Sequence, residues 1–505
     1  MTLDLTAGGG IVWALLPEIL LSICAMAVLL AGVPGGKTRE ASGDRADSLM
    51  RLALSGIIGA AAANAWLHGV NVVGDSGMIA VDPFRLYGNW ILLLGAALTL
   101  LISIPYISEQ RLQAGEFYSL VLLATAGMMV MVGTRNLIVL FLALETMSIA
   151  AYVLTGCNRR DRRSAEASLK YFILGAFSSA FLLYGIALVW GATGSVTLPE
   201  VAETIETGAG FAGLLLAGMG LIGIGFAFKV AAVPFHMWAP DVYDGAPTPS
   251  TAFMAVAVKS ASVLAFVRVF LEAFWLLYDA WYPVAWWLAA LTIIVGNLIA
   301  LSQTSVKRML AYSSVAHGGY LLVGLAAANE ISTAAILSYL LIYTLMNAGA
   351  FGIVMTVGGH AENRVELDDF AGAGWSRPLL GVMFTIFLLS LAGFPGTGGF
   401  MAKIFLLQGA VASRLWTLAL LLALGTVISY YYYLRVAWYM WMKPPGRAEA
   451  TEQPAAALAL RATLIGATAL VLVLGIFPGP LLDGAMAAAD ALGLFSADGL
   501  LGLAP

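Results

Sequence analysis

Apolar residues fill this chain in long unbroken runs, with polar residues gathered into short connections between them. Runs of about 20 apolar residues cross a bilayer as helices. The pattern predicts fourteen spans, at 11–33, 49–69, 86–106, 116–133, 136–156, 165–191, 210–234, 248–275, 281–302, 306–328, 331–358, 378–410, 413–441 and 457–484. The stretch Leu198 to Thr207 is too short and acidic to span, and reads as a surface helix or loop.

Two spans carry breaks. Span 7 runs into Pro234, which removes a backbone donor and crowds the preceding turn. Span 12 contains Leu391 to Phe400, LAGFPGTGGF, with four glycines and Pro395. The breaks lie five spans apart. Five-helix units repeated at that odd offset have opposite membrane topology, which is the inverted repeat of secondary transporters. The expected fold is an all-α polytopic membrane protein of about fourteen transmembrane helices. It has two inverted five-helix repeats and two discontinuous helices, at Pro234 and Pro395. Residues 1–110 form three flanking helices, 116–275 the first repeat, 281–441 the second, and 457–505 a last flanking helix with its tail.

Composition agrees. The 505 residues are 61% hydrophobic and 11% charged, against roughly 25% charged in soluble domains. The net charge of −4 says less than where the charges fall. Connections after odd-numbered spans hold Lys37, Arg39, Arg45, Arg51, Arg111, Arg159, Arg160, Arg162, Arg163, Lys307, Arg308, Arg364, Arg377, Lys443 and Arg447. Those after even-numbered spans hold Arg85, Arg135 and Arg414. Fifteen against three makes the former cytoplasmic and puts both termini outside. The N-terminus lacks a basic region and a cleavage site, so the first run is expected to remain as a helix.

Charges inside the apolar spans are the candidate chemistry. Glu145 lies in span 5, Lys229 in span 7, Lys259 in span 8 and Lys403 beyond the break of span 12. Each such charge costs about 2.5–3.5 kcal/mol on insertion scales, so an intramembrane ionisable residue reads as functional. Burial and a nearby opposite charge act in opposite senses on a lysine's hold on its proton. A lysine with a movable counter-charge can therefore gain and lose that proton. Pairing Glu145 with Lys229 would keep the lysine charged, and separating them would favour release towards Lys259 and Lys403. His317 in span 10 and His236 beside Pro234 are further candidates. Lys170, Lys307 and Arg435 lie nearer span ends and read as snorkelling or loop charges, with Glu18, Arg268 and Glu272 intermediate.

Other patterns carry no chemistry. AGVPGGKT at 31–38 follows a membrane helix, not the strand a phosphate loop requires. GMGLIG at 218–223 lies inside span 7, where small residues let helices pack. The two cysteines, Cys24 and Cys157, are too few and too distant for an iron–sulfur cluster or a structural zinc. No nucleophile or metal motif appears, so no catalytic residue, cofactor or metal is expected in this chain. The run Tyr430 to Tyr433 fits either an interface belt or a partner surface.

Three stretches, KVAAVPFHMWAPDVYDGAPTP, TSVKRMLAYSSVAHGGY and LAGFPGTGGFMAKI, resemble the proton-conducting antiporter-like subunits of respiratory complex I, NADH:quinone oxidoreductase. The resemblance spans roughly residues 80 to 445. It is similar in particular to the N-type member: the chain ends soon after span 14, Lys403 stands in the broken span, and 162–195 matches that type's sixth span. The resemblance implies a proton-translocating subunit of that respiratory-chain translocase, driven by quinone reduction elsewhere in the complex. Glu145 and Lys229 would be an interacting pair, Lys259 the central relay and Lys403 the exit-side lysine. NADH, FMN, iron–sulfur clusters and quinone would bind partner subunits. Neighbours would be M-type and K-type subunits and the lateral helix of the L-type subunit, in a bacterial inner membrane with periplasmic termini. No nucleic acid is implied. The alternative is a subunit of a multisubunit cation/proton antiporter.

Overall fold

The computed structural model describes residues 2–33, 43–110, 112–359, 365–444 and 458–492. Lys37, Arg39, Arg111, Arg364, Arg447, most of the 31–38 motif and the tail beyond residue 492 lie outside them. Helices follow the apolar runs closely. Twelve are long and apolar enough to cross a membrane among the described residues, and thirteen if the bent pair Gly8–Ala14 and Leu16–Gly32 counts as one span. The expected span 12 appears as two shorter apolar helices, Pro378–Ala392 and Gly398–Ala412. Leu198–Glu206 is a short surface helix, as its length and acidity predict.

The helices are packed to different depths. Span 8, Thr248–Glu272, is entirely enclosed, with span 10, Val306–Ala327, and span 11, Glu330–Gly358, nearly so. Span 14, Leu458–Ile476, is the least buried of these helices and lies at the rim. The inner helices are lined with Gly, Ala and Ser, which allow close approach in a bilayer. A Cβ on Gly185 or Gly218 would sit 2.8 Å from the other's carbonyl oxygen, so spans 6 and 7 touch backbone to backbone. The GMGLIG run is thus a packing surface.

Four features depart from simple spans. The first span bends by 67° at Leu15, with Pro17 opening the second segment. Residues Met254–Val258, within span 8, form a turn of π-helix immediately before Lys259. Apolar spacing is blind to such a turn, because it shifts the register without interrupting the run. Thr2–Asp4 and Asn71–Val73 pair as two short parallel strands, a small addition to the all-α reading. Span 7 ends at Lys229, and after a turn a short helix, Trp238–Gly245, follows.

Several charges outside the candidate set are paired, and the intermediate ones, Glu18, Arg268 and Glu272, are buried. Arg85 donates to Glu18 at 2.7 Å and to the carbonyls of Ala14 and Ala80. Arg268 grips Asp82 with two bonds of 2.8 and 2.9 Å and donates to Glu272 at 2.6 Å. Arg135 reaches Glu272 at 3.0 Å. Burial alone would push the Asp82 carboxyl up, but the Arg268 guanidinium outweighs it and holds Asp82 below the ordinary carboxylate range. Lys307, read as a loop or snorkelling charge, is buried and donates to the Ala246 carbonyl. Lys170 and Arg308 share the carboxylate of Asp241, at 3.2 and 2.9 Å, and so tie the Trp238–Gly245 helix to spans 6 and 10.

Candidate functional site

Both breaks free backbone groups inside the membrane, and both are resatisfied locally. After Lys229 the chain turns through Ala231, which has φ of 59°. The Ala232 amide then bonds back to Ala227. The Trp238 indole donates to the Phe228 carbonyl at 2.9 Å, and the Val233 amide donates to Thr292. In span 12, Gly393 takes φ of 88°, and the Phe394 amide closes onto Leu389. That left-handed residue is where glycine ends a helix without a steric penalty. Irregular backbone at membrane depth persists only where such partners exist.

Each break has a lysine at its carbonyl-rich end. Lys229 is the last residue of Ala212–Lys229. Lys403, on the second half-helix, reaches back to the first and donates to the carbonyls of Leu391 at 2.9 Å and Ala392 at 3.0 Å. A cation there meets the negative end of the helix dipole. Lys259, just past the π turn, donates to both the carbonyl and the hydroxyl of Ser314. Lys229, Lys259 and Lys403 are 2%, 2% and 4% exposed.

Glu145 and Lys229 bond to different partners. On span 5, Leu137–Thr155, residues 145, 148 and 152 share a face at helical spacing. Lys229 donates to Ser148 Oγ at 2.8 Å and lies 3.4 Å from the Tyr152 hydroxyl. The Glu145 carboxylate accepts from Ser179 instead, and no direct ion pair joins it to Lys229 among the described residues. Glu145 is only half-buried, beside the exposed Leu142 and Ile149.

From Lys259 onward the polar groups are nearly continuous. Ser313, the neighbour of Ser314, bonds the Tyr433 hydroxyl. Tyr433 also meets His317 Nε2 at 3.2 Å, and His317 Nδ1 meets the Tyr339 hydroxyl. Tyr432, whose ring is tilted against that of Tyr433, donates to Asn297, which donates to the Tyr320 hydroxyl at 3.2 Å. Lys403 Nζ lies 5.0 Å from the centre of the Tyr320 ring. Between Lys229 and Lys259 the link is packing: a Cβ on Gly318 would fall 2.9 Å from the Val230 carbonyl and 3.8 Å from Lys259 Nζ. His317 thus sits in the row. His236 does not, lying in the partly exposed turn of the first break.

Sequence reasoning missed Ser148, Ser314, Tyr433, Asn297 and Tyr320. Serine and asparagine in apolar helices usually bond their own backbone, so their type alone gives no warning. Ser148 had one signal, its position three residues after Glu145. The tyrosine run divides: Tyr432 and Tyr433 are fully buried, Tyr431 is exposed, and Tyr430 donates to the Gly393 carbonyl at the break. Among the described residues no three His, Cys, Asp or Glu side chains cluster as a metal site would require.

Residues 134–429 match the family described as NADH:quinone oxidoreductase/Mrp antiporter, transmembrane. A Trichlorobacter lovleyi protein named NADH-quinone oxidoreductase subunit N is 45% identical, over 85% of this chain and 87% of its own length. One of the same name from Gemmatimonas aurantiaca is 43% identical over 95% and 94%. A chain in the structure of respiratory complex I from Thermus thermophilus with bound aureothin superposes with a TM-score of 0.77. It is 34% identical, covering 93% of this chain and 99% of that one. On the matched span, the shared fold and these identities, the chain belongs to the NADH:quinone oxidoreductase/Mrp antiporter transmembrane family.

Proposed function

We propose that this chain is a proton-translocating membrane-arm subunit of an NADH:quinone oxidoreductase, the subunit its named relatives represent. The observation that carries the reading is the row of three buried lysines. They are spaced across the fold and joined from Lys259 to Lys403 by hydroxyl, imidazole and amide side chains. Lysine exchanges its proton where arginine does not. Glu145 and Lys229 form the entry, Lys259 with His317 the centre, and Lys403 the exit. Pro234 and Pro395 mark the two breaks, and the second puts Lys403 against an open helix end.

The chain supplies a path and no energy. Moving one charge against 100 mV costs about 2.3 kcal/mol, so quinone reduction in other subunits of the complex drives the step. NADH, FMN, iron–sulfur clusters and quinone are assigned to those subunits. Its neighbours are M-type and K-type subunits and the lateral helix of the L-type subunit. The two five-helix units, 116–275 and 281–441, form an inverted repeat flanked by 1–110 and 457–505. The chain lies in the bacterial inner membrane with both termini periplasmic.

The test is NADH-driven proton uptake in inverted membrane vesicles, wild type against Lys229→Ala, with NADH oxidation followed in parallel. Loss of both with the complex assembled is the expected result. Unchanged uptake overturns the reading. Sodium-dependent exchange lost while NADH oxidation stays normal would point to the cation/proton antiporter instead.

A further inference from the structure

No side-chain hydrogen bond bridges Lys229 and Lys259 among the described residues: the first bonds Ser148, the second Ser314. The gap between them therefore depends on how the first break seats against its neighbours. Two contacts seat it. On span 10, Gly318 leaves room for the Val230 carbonyl, which a Cβ there would approach to 2.9 Å. On span 9, Thr292 Oγ1 accepts a hydrogen bond from the Val233 amide at 2.9 Å. Thr292 is fully buried, and its own hydroxyl donates to the Leu288 carbonyl, which fixes the hydroxyl rotor. The Val233 amide makes no backbone hydrogen bond among the described residues, and Pro234, the next residue, has no N–H. Other groups freed by the break are met within the same segment, as the Ala232 amide is by Ala227 and the Phe228 carbonyl by Trp238. Val233 is held from another span.

Spans 9 and 10 form one body. A Cβ on Gly296 would lie 2.7 Å from the Ala316 amide nitrogen, and one on Gly319 would lie 2.8 Å from that of Ile293. Backbone meets backbone there, and no flexible side chain lies between to take up sliding. The same body carries Ser314, which accepts from Lys259, and Tyr320, whose ring centre lies 5.0 Å from Lys403 Nζ. Through Thr292, the segment that follows Lys229 is tied to the frame that holds the acceptor of Lys259.

Given the proton path above, on which this role rests, we propose that Thr292 is a positioning residue for the step from Lys229 to Lys259. In that step the Lys229 ammonium gives up a proton and the neutral Lys259 amine gains one. Thr292 hydrogen-bonds to neither lysine among the described residues. Its bond to Val233 sets where the helix end at Lys229 stands relative to Ser314, and so the gap the proton crosses. Small errors in such placement cost large factors in rate.

The test compares wild type, Thr292→Val and Thr292→Ser in the assembled complex in sealed vesicles, with NADH oxidation and proton uptake measured in H2O and in D2O. Valine keeps the shape and removes the acceptor, which strands the buried Val233 amide. Both rates per assembled complex should fall about tenfold. The solvent isotope effect should rise, because proton transfer across the altered gap becomes the slow step. Serine should restore both readings. Loss of packing alone would lower the thermal midpoint and leave the isotope effect where it was. If Thr292→Val does not assemble, Thr292→Cys, with its weakly accepting sulfur, carries the same comparison. A rate within twofold of wild type, an unchanged isotope effect, or a serine variant as slow as valine overturns the positioning role. With Lys229→Ala inactive in the same vesicles, any of these results leaves the proton path standing. Full uptake by Lys229→Ala overturns the path and the positioning role with it.

Discussion

Ser148→Ala is the perturbation that most directly tests how Lys229 is held. Ser148 Oγ donates to the Leu144 carbonyl at 2.6 Å, so its lone pairs face outward from the helix. One accepts from Lys229 Nζ at 2.8 Å. Both groups are buried, and water does not replace the lost acceptor. Removing a hydrogen bond to a charged group costs about 1.5–3 kcal/mol. The Tyr152 hydroxyl, at 3.4 Å, remains as a weaker acceptor, so the lower end applies. At about 1.4 kcal/mol per tenfold, coupled turnover should fall about tenfold if the ammonium form of Lys229 lies on the path. The assay is NADH-driven proton uptake by the assembled complex. Ser148→Thr keeps the hydroxyl and should retain most of the rate. In a Lys229→Ala background, Ser148→Ala should add little, because the two residues act through one contact. A rate within twofold of wild type for Ser148→Ala, or full additivity in the double variant, refutes the argument.

Arg268→Met leaves Asp82 and Glu272 as two buried carboxylates with their shared partner gone. The expected cost is about 3–5 kcal/mol, read as a lower thermal midpoint of the complex, and a loss below about 1 kcal/mol counts against the network. Asp82 also gives a pH dependence. Its carboxyl is held below the ordinary range by Arg268, so its contribution is complete above the unfolded value and disappears as pH falls through the lower folded one. The thermal midpoint should therefore drop below about pH 4, and Asp82→Asn should flatten that limb. Gly318→Ala drives a methyl against the Val230 carbonyl, with an overpacking cost of about 1–3 kcal/mol and slowed proton uptake. Gly466→Ala meets nothing within 4 Å and should be neutral in the same assays.

The spans were legible because the bilayer demands long apolar runs, and Glu145, Lys229, Lys259 and Lys403 stood out because charge in such runs is costly. Pro234 and Pro395 located both breaks. What the sequence left hidden has physical reasons. The π turn before Lys259 changes register by one residue and leaves composition untouched. The bend at Leu15 sits within a run that reads as continuous. Ser148 and Asn297 look like ordinary small polar residues of a membrane helix, and only the third dimension brings them to a lysine and a tyrosine. Arg268 and Glu18 looked intermediate, and Arg85 read as a connection charge, because the partners that pair Arg268 with Asp82 and Arg85 with Glu18 lie in other spans or in a connection.

Lys403 does two jobs with one nitrogen. It belongs to the second half of span 12, yet its ammonium is clasped by the last carbonyls of the first half. A neutral amine can still donate hydrogen bonds to those oxygens, but it gives up the attraction between a full positive charge and the helix end, worth about 0.3–2 kcal/mol. Proton occupancy therefore sets how firmly the two halves of one span grip each other. At this break a chemical variable and a mechanical one meet at a single nitrogen.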